Sequence, residues 1–324
     1  MTPRTRVYRD GKLAAEGFPV DDVSEHLRDE NALVWFDLCA PEPDELKVIG
    51  EELSLHSLAV DAAIDFDQRP KLVRFEKHLL LTCAAVRFDP DSGDVSASEV
   101  VAFITRNALV TVRRSDEFDI DEVLRRWDAS ADLTRYGVSY LLYGLLDYVV
   151  DTHFDAVQAL DSELDSLEDR IFDDRPQEKQ VQRRTFQLRK SLLTLRRVVL
   201  PMREVVNSVL RRDLHTLNEA MSPYFQDVYD HVLRVTEWTD SLRDFVGTIL
   251  ETQLTVRGNR LNVIMKQVTS WAAIIAVPTA VTGFYGMNVP YPGYGHWSGF
   301  IASLIIIAVM SVGLYVLFRR KEWI

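Results

Sequence analysis

The chain has 324 residues, with 37 Lys and Arg against 49 Asp and Glu, for a formal net charge of -12. That balance excludes the concentrated basic surface that nucleic-acid binding needs, since the basic residues are interleaved with carboxylates; cations suit it better than polyanions. The charge is also unevenly placed, because residues 267 to 318 carry none, so a soluble part joined to a membrane part is implied.

The N-terminal stretch MTPRTRVYRDGKL lacks the apolar core of a secretory signal, which predicts that the long N-terminal region stays in the cytosol. Ala32–Leu38, Leu79–Phe88 and Val100–Val112 are β-branched or aromatic runs bounded by Asp, Pro and Gly, and read as strands. PEPDELKVIGEEL and SLAVDAAIDF carry early carboxylates and helical spacing, while DPDSGD at 89 to 94 reads as a turn between two strands. Residues 1–130 are therefore expected to form a small α/β domain. Cys39 and Cys83, with no CxxC and no paired His, read as small core residues in a reducing compartment.

From about Tyr136 the apolar residues recur every three or four positions between carboxylates, the pattern of a long amphipathic helix. Arg175-Pro176 interrupts it, and a second helical pattern runs from Gln177 to His215, so residues 131–222 are expected to form an antiparallel helical pair. Ser222-Pro223 reads as an N-cap followed by proline at the first helical position. After it Val228, Val232, Val235, Thr239, Leu242, Val246, Ile249, Gln253 and Val256 form a heptad-like stripe with no stop before the apolar tract. One stalk helix is thus predicted over residues 223–287, roughly 90 Å long at 1.5 Å per residue.

The tract holds two runs long enough to cross a hydrocarbon core of ~30 Å: Val268 to Tyr285, and residues 298–318. The second, SGFIASLIIIAVMSVGLYVLF, is hydrophobic all round, unlike a buried soluble hairpin. Arg319, Arg320 and Lys321 in the tail 319–324 put the C-terminus in the cytosol by the positive-inside rule; two crossings return the N-terminal domain to the same side and leave the loop 288–297 outside. Tyr285, Tyr291, Tyr294, Trp297 and Trp323 fall where an aromatic belt would sit. Two spans alone cannot enclose a water-filled path, but a ring of copies can. One face of the first span reads Met265, Val268, Ala272, Ala276, Thr279, Gly283, which suits either a helix-packing surface or a lumen lining.

At the outer end of that span stands Gly286-Met287-Asn288. An amide oxygen there can accept hydrogen bonds from the water shell of a cation without binding it irreversibly, and Mg²⁺, which is reluctant to lose its waters, fits such a ring. Zn²⁺ would prefer His or Cys, and only His296 lies in this tract. Asn288 is also suited to capping the helix C-terminus in a turn, and that is the reading physics alone favours. The seven histidines form no HExxH or nucleophile–base spacing, and there is no GxxxxGK[ST], so neither an enzyme nor an ATP-driven pump is expected.

Tyr285-Gly286-Met287-Asn288 between two C-terminal spans with a basic tail resembles the signature of the CorA magnesium transporter family. Gln68-Arg69-Pro70-Lys71, Tyr140-Leu141-Leu142-Tyr143, Pro223-Tyr224-Phe225, Asp227-Val228-Tyr229-Asp230-His231 and Lys321-Glu322-Trp323-Ile324 agree with it in order, over nearly the whole chain. The resemblance implies an α+β membrane protein, a homopentameric funnel with a cytosolic α/β domain, long stalk helices lining the pore and two C-terminal transmembrane helices in a cell membrane. It implies gated Mg²⁺ influx, with Gly286, Met287 and Asn288 at the selectivity ring, Thr279 and Ala276 along the pore, and Met265 and Val268 at the constriction. It further implies regulatory Mg²⁺ bound between copies at Asp61 and Asp227, with Glu251 facing the axis. The sequence departs at Ala62, where the resemblance predicts a second sensor carboxylate that Asp61, Asp65 or Asp67 would have to replace, and in the outer loop, which lacks carboxylates. Co²⁺, Ni²⁺ or Zn²⁺ transport, or a membrane-anchored sensor without flux, are the alternatives.

Overall fold

A computed structural model describes residues 3–29, 31–66, 68–171, 178–211 and 217–324. The chain divides into two compact units, residues 1–249 and 250–324.

The first unit is built on a seven-stranded sheet of order β2-β1-β3-β7-β6-β5-β4. The strands are β1 (Arg4–Arg9), β2 (Lys12–Glu16), β3 (Ala32–Cys39), β4 (Lys71–Arg74), β5 (Leu79–Phe88), β6 (Val95–Ile104) and β7 (Ala108–Arg113). Only β3 and β7 are parallel. The run read as one strand over Val100–Val112 is two: Thr105 pairs with Ala108 through both its backbone N–H and its hydroxyl, closing a hairpin that three polar residues, Thr105-Arg106-Asn107, make possible. The DPDSGD turn falls between β5 and β6 as read.

Both faces of this sheet are covered, so the central strands are apolar on alternate residues to both sides. Leu79, Leu81, Cys83, Val100, Ala102 and Ile104 face one cluster, while Leu80, Val101, Phe103, Val110 and Val112 face the other. The second cluster is closed by α1 (Val23–Leu27), α2 (Pro43–Glu52) and α3 (Ser57–Ile64). The first is closed by α4 (Ile120–Ala129), α5 (Val138–Ile171), α6 (Glu178–Leu210) and the start of α7 (Ser222–Tyr285). At the β3–β7 junction Asp37 is 2% exposed and takes a fork of hydrogen bonds from Arg113 at 2.6 to 3.0 Å and one from Thr111 at 2.7 Å. A buried charge tolerates its lost hydration only with such complete pairing.

Helix α6 folds back on α5, tied by Arg184 to Glu163 at 2.7 Å; the connection with Arg175-Pro176, and His215, lie outside the described residues. Arg184 also donates to the carbonyls of Pro90 and Asp91, and Ser191 to that of Gly93 at 2.6 Å, so the β5–β6 turn is held on α6. Ser222 is not an N-cap: its φ of -52° and ψ of -43° are helical, because a short 3-10 turn, Glu219–Met221, leads straight into α7, and Asn218 caps that turn by accepting from Ala220. The α7 stripe is buried from Val228 through Val232, Val235, Thr239, Leu242 and Val246 to Ile249. Tyr143 meets Tyr224 and Phe225, Phe154 meets Trp238, and Arg196 of α6 pairs with Asp240 at 2.8 Å.

The second unit holds the rest of α7 and α8 (Trp297–Arg320), and both helices have stretches long and apolar enough to cross a membrane. Its buried residues are Ser270, Gly299 and Ser303, all small, whereas Val268, Ile275, Val309 and Val312 are more than half exposed. Small residues at helix contacts with large apolar ones turned outward are the pattern of helices meeting in lipid.

Candidate ion pathway and sensor site

The first-span face of Met265, Val268, Ala272, Ala276, Thr279 and Gly283 is exposed along its whole length in the single chain. Pro278 sits inside the helix and has no N–H to give, while the hydroxyl of Thr282 donates to the Pro278 carbonyl at 2.8 Å. Thr279 donates to the carbonyl of Ile275 at 3.2 Å. Turning the proton back onto the helix leaves the oxygen lone pairs of Thr279 pointing away from it, an acceptor on an otherwise apolar face.

The helix ends at Tyr285, and Gly286 and Met287 fold back by donating to the carbonyls of Thr282 at 2.9 Å and Phe284 at 3.3 Å. A Cβ at Gly286 would lie 2.9 Å from the Thr282 carbonyl oxygen, so the turn itself demands glycine there. Asn288 follows, exposed, with no side-chain hydrogen bond among the described residues and no left-handed backbone. The helix end is closed by backbone groups, and the capping role open to Asn288 on sequence grounds is not the one observed.

The outer loop is folded on itself. Tyr291 donates to the carbonyl of Tyr285 at 3.0 Å and stacks edge-on with Tyr285 and Tyr294. Gly293 has a φ of +87°, and a Cβ on Gly299 would lie 2.5 Å from its carbonyl, so the loop rests on the first turn of α8 by glycine-to-glycine approach. The Nδ1 of His296 lies 3.1 Å from the Tyr294 carbonyl, which leaves Nε2 outward.

Asp61 stands exposed on α3, Asp227 exposed near the start of α7, and Glu251 exposed further along it; none is in an ion pair among the described residues. Nor do the described residues hold any group of three or more His, Cys, Asp or Glu able to grip a metal ion. Ala62 packs on the apolar cluster under α3 and its carbonyl accepts from Gln68 at 3.1 Å. Asp65 is exposed; Asp67 lies outside the described residues.

One group next to Asp227 was not read from the sequence. Asp147 and Asp151, one helical turn apart on α5, both take 2.7 Å bonds from Arg126. Burial, then the Asp151 charge, raise Asp147 above the usual carboxylate range. Burial followed by the charges of Asp147 and Asp227 pushes Tyr143 up to about 12. The i, i+4 carboxylates in YGLLDYVVD were the available signal.

The family model for a CorA-like Mg²⁺ transporter protein matches residues 30–320. The chain belongs to the CorA-like family. It is 30% identical over 312 residues to the cobalt/magnesium transport protein CorA of Thermotoga maritima, covering 95% of this chain and 88% of that one. It is 21% identical over 291 residues to the zinc transport protein ZntB of Yersinia enterocolitica, covering 90% and 88%. Among solved structures, that of the CorA magnesium transporter from Methanocaldococcus jannaschii superposes with a TM-score of 0.80 at 22% identity, over 100% of this chain and 99% of that one. The cytosolic-type α/β fold, the long helix and the two apolar C-terminal helices are those of CorA proteins, and the chain is a divalent-cation transporter of the membrane rather than an enzyme.

Proposed function

We propose that this CorA-family chain is a Mg²⁺ channel assembled from five copies around the first span, with both termini in the cytosol. The observation that carries the reading is the pairing of an exposed, charge-free helix face with an exposed Asn288 amide that the chain itself does not use. In a ring, the Met265 and Val268 side chains form an apolar constriction, Ala276 leaves a wide lumen, and Thr279 and then Asn288 present oxygens to a hydrated ion. Gly286 and Met287 set the turn that aims Asn288. Amide and hydroxyl oxygens suit Mg²⁺ carried with its waters. A 2+ ion gains about 4.6 kcal/mol per 100 mV, at roughly 2.3 per charge, so influx needs no other energy source.

Regulation rests on Asp61 and Asp227 from neighbouring copies, with Glu251 near the axis. Mg²⁺ keeps several waters and is satisfied by one or two carboxylates, so two unpaired aspartates fit it where a tighter ion would need more ligands. Bridged, they hold copies together and close the constriction; without Mg²⁺ they repel and open it. Replacing both by Asn is expected to leave flux insensitive to internal Mg²⁺, measured in liposomes loaded across a Mg²⁺ series.

The test of the pathway is Asn288→Ala in the same liposomes: at least tenfold loss of Mg²⁺ flux, or loss of inhibition by hexaamminecobalt(III), is expected. Undiminished selective flux refutes it. A second reading, transport of Zn²⁺, Co²⁺ or Ni²⁺, draws on the outward Nε2 of His296, an imidazole ligand those ions favour; it predicts that His296→Ala abolishes their flux and spares that of Mg²⁺.

A further inference from the structure

Gln68-Arg69-Pro70-Lys71 has no part in the ion pathway, yet its first residue is tied to the helix that carries Asp61. The amide of Gln68 donates twice, to the carbonyl of Ala62 at 3.1 Å and to that of Asp65 at 2.8 Å. The Asp61 carbonyl, in the same turn, accepts from the N–H of Asp65 at 3.0 Å. Carbonyls at a helix C-terminus lack partners within the helix, so the Gln68 amide closes the last turn of α3. Gln68 is in turn held by the sheet, because its own backbone N–H donates to Oε2 of Glu99 on β6 at 3.1 Å.

The opposite end of α3 is also held by a side chain. Nδ1 of His56 accepts from the N–H of Leu58 at 3.2 Å, and the imidazole stacks on Phe75, just past β4, at 4.9 Å. Between these ends α3 has eight residues, and its buried ones are Ala59, Val60 and Ala63. A helix of about two turns is marginal alone, and small buried side chains give it little packing to fix its position. Its ends therefore decide where Asp61 stands.

Stability alone does not ask for glutamine at this position. Gln68 Oε1 is buried and finds no donor among the described residues, and an acceptor so placed is costly. Methionine has nearly the same length and would bury no such acceptor. What glutamine adds is the pair of N–H donors aimed at α3.

We propose, resting on the reading of Asp61 as a regulatory Mg²⁺ ligand, that Gln68 is a positioning residue for the sensor: its amide holds the last turn of α3 so that Asp61 is set for a neighbouring copy. Gln68 itself never meets the ion. With its donors removed the turn opens part of the time, and apparent Mg²⁺ affinity falls by the fraction of time Asp61 is in place.

The test is Mg²⁺ flux in liposomes holding the full-length protein, with internal Mg²⁺ varied, for the parent, Q68M, Q68E, D61N and Q158M. Q68M is expected to raise the internal Mg²⁺ for half-inhibition at least threefold. Q68E should raise it further, because a carboxylate has no N–H and faces two carbonyls. Flux without internal Mg²⁺ should stay at the parental level in both, and Q158M, exposed on α5, should match the parent throughout. Hydrogen exchange should quicken at residues 61–66 of Q68M and not in the strands. Parental half-inhibition in Q68M while D61N shifts it overturns the role of Gln68 and leaves the sensor reading standing; parental half-inhibition in D61N removes both. A lowered melting temperature with reduced Mg²⁺-free flux in Q68M makes Gln68 a structural residue and likewise overturns the proposal.

Discussion

Helix α7 passes through two environments, and its stripe changes character between them. From Val228 to Ile249 the inward positions are buried, with Trp238 against Phe154 of α5 and Asp240 paired with Arg196 of α6; from Gln253 onward the same spacing continues on a surface the single chain leaves largely open. Large side chains, Trp35, Phe36 and Trp127 among them, fill the first unit, while the second buries only Ser270, Gly299 and Ser303. One periodicity therefore serves two solvents. In water the stripe drives burial; in lipid, apolar surface gains nothing by meeting apolar surface, and close approach at small residues holds helices together.

That contrast can be broken most forcefully at Asp37. Asp37→Ala strands Arg113 in the sheet, and a loss of about 3–5 kcal/mol is expected; it should appear as unfolding of the first unit while the helical signal of the two spans persists in detergent. Loss of both together would show the contrast to be wrong.

Acid provides the next test. His153 is buried on α5, its Nε2 2.8 Å from the Ala84 carbonyl, and burial lowers its pKa to about 4. Below about 6.5 the unfolded chain binds a proton that the folded one refuses. Stability is thus full above pH 6.5 and falls as pH drops towards 4, by about 3 kcal/mol in all. His153→Gln keeps an amide donor for Ala84 and should flatten that limb in pH-dependent melts; an unchanged slope would assign the loss to other groups.

The smallest effects sharpen the comparison most. Val246→Ala, in the buried stretch, should cost about 2 kcal/mol, two methyl-sized groups with a cavity left behind. Val256→Ala, 39% exposed, should cost under about 0.5 kcal/mol in dissociated chains. If Val256→Ala weakens only the assembled form, measured by subunit dissociation in detergent, neighbouring copies cover this part of the stripe.

Much of the site was legible because it is written in local chemistry. The two spans announce themselves by composition, and Leu79–Phe88 by β-branched and apolar runs between turn residues. The β1–β2 hairpin escaped notice since its exposed second strand, KLAAE, carries no alternation, and β4 is only four residues long. Val100–Val112 read as one strand because the polar break at its centre is short and both flanks are buried on two sides. In the Arg126–Asp147–Asp151 group the i, i+4 spacing of the two carboxylates is local, but their partner Arg126 comes from α4, which no local pattern reveals.

By itself the sequence determined the charge partition, the two spans, the long helix and the Gly286-Met287-Asn288 turn, since each follows from hydropathy or backbone sterics over a few neighbouring residues. Tertiary structure decided what those residues are free to do. Backbone groups close the end of α7 and leave Asn288 unused by the chain, and a cleft is lined by Arg69, Arg114 and Arg197. These outcomes depend on which distant groups arrive alongside, a question of packing rather than of pattern.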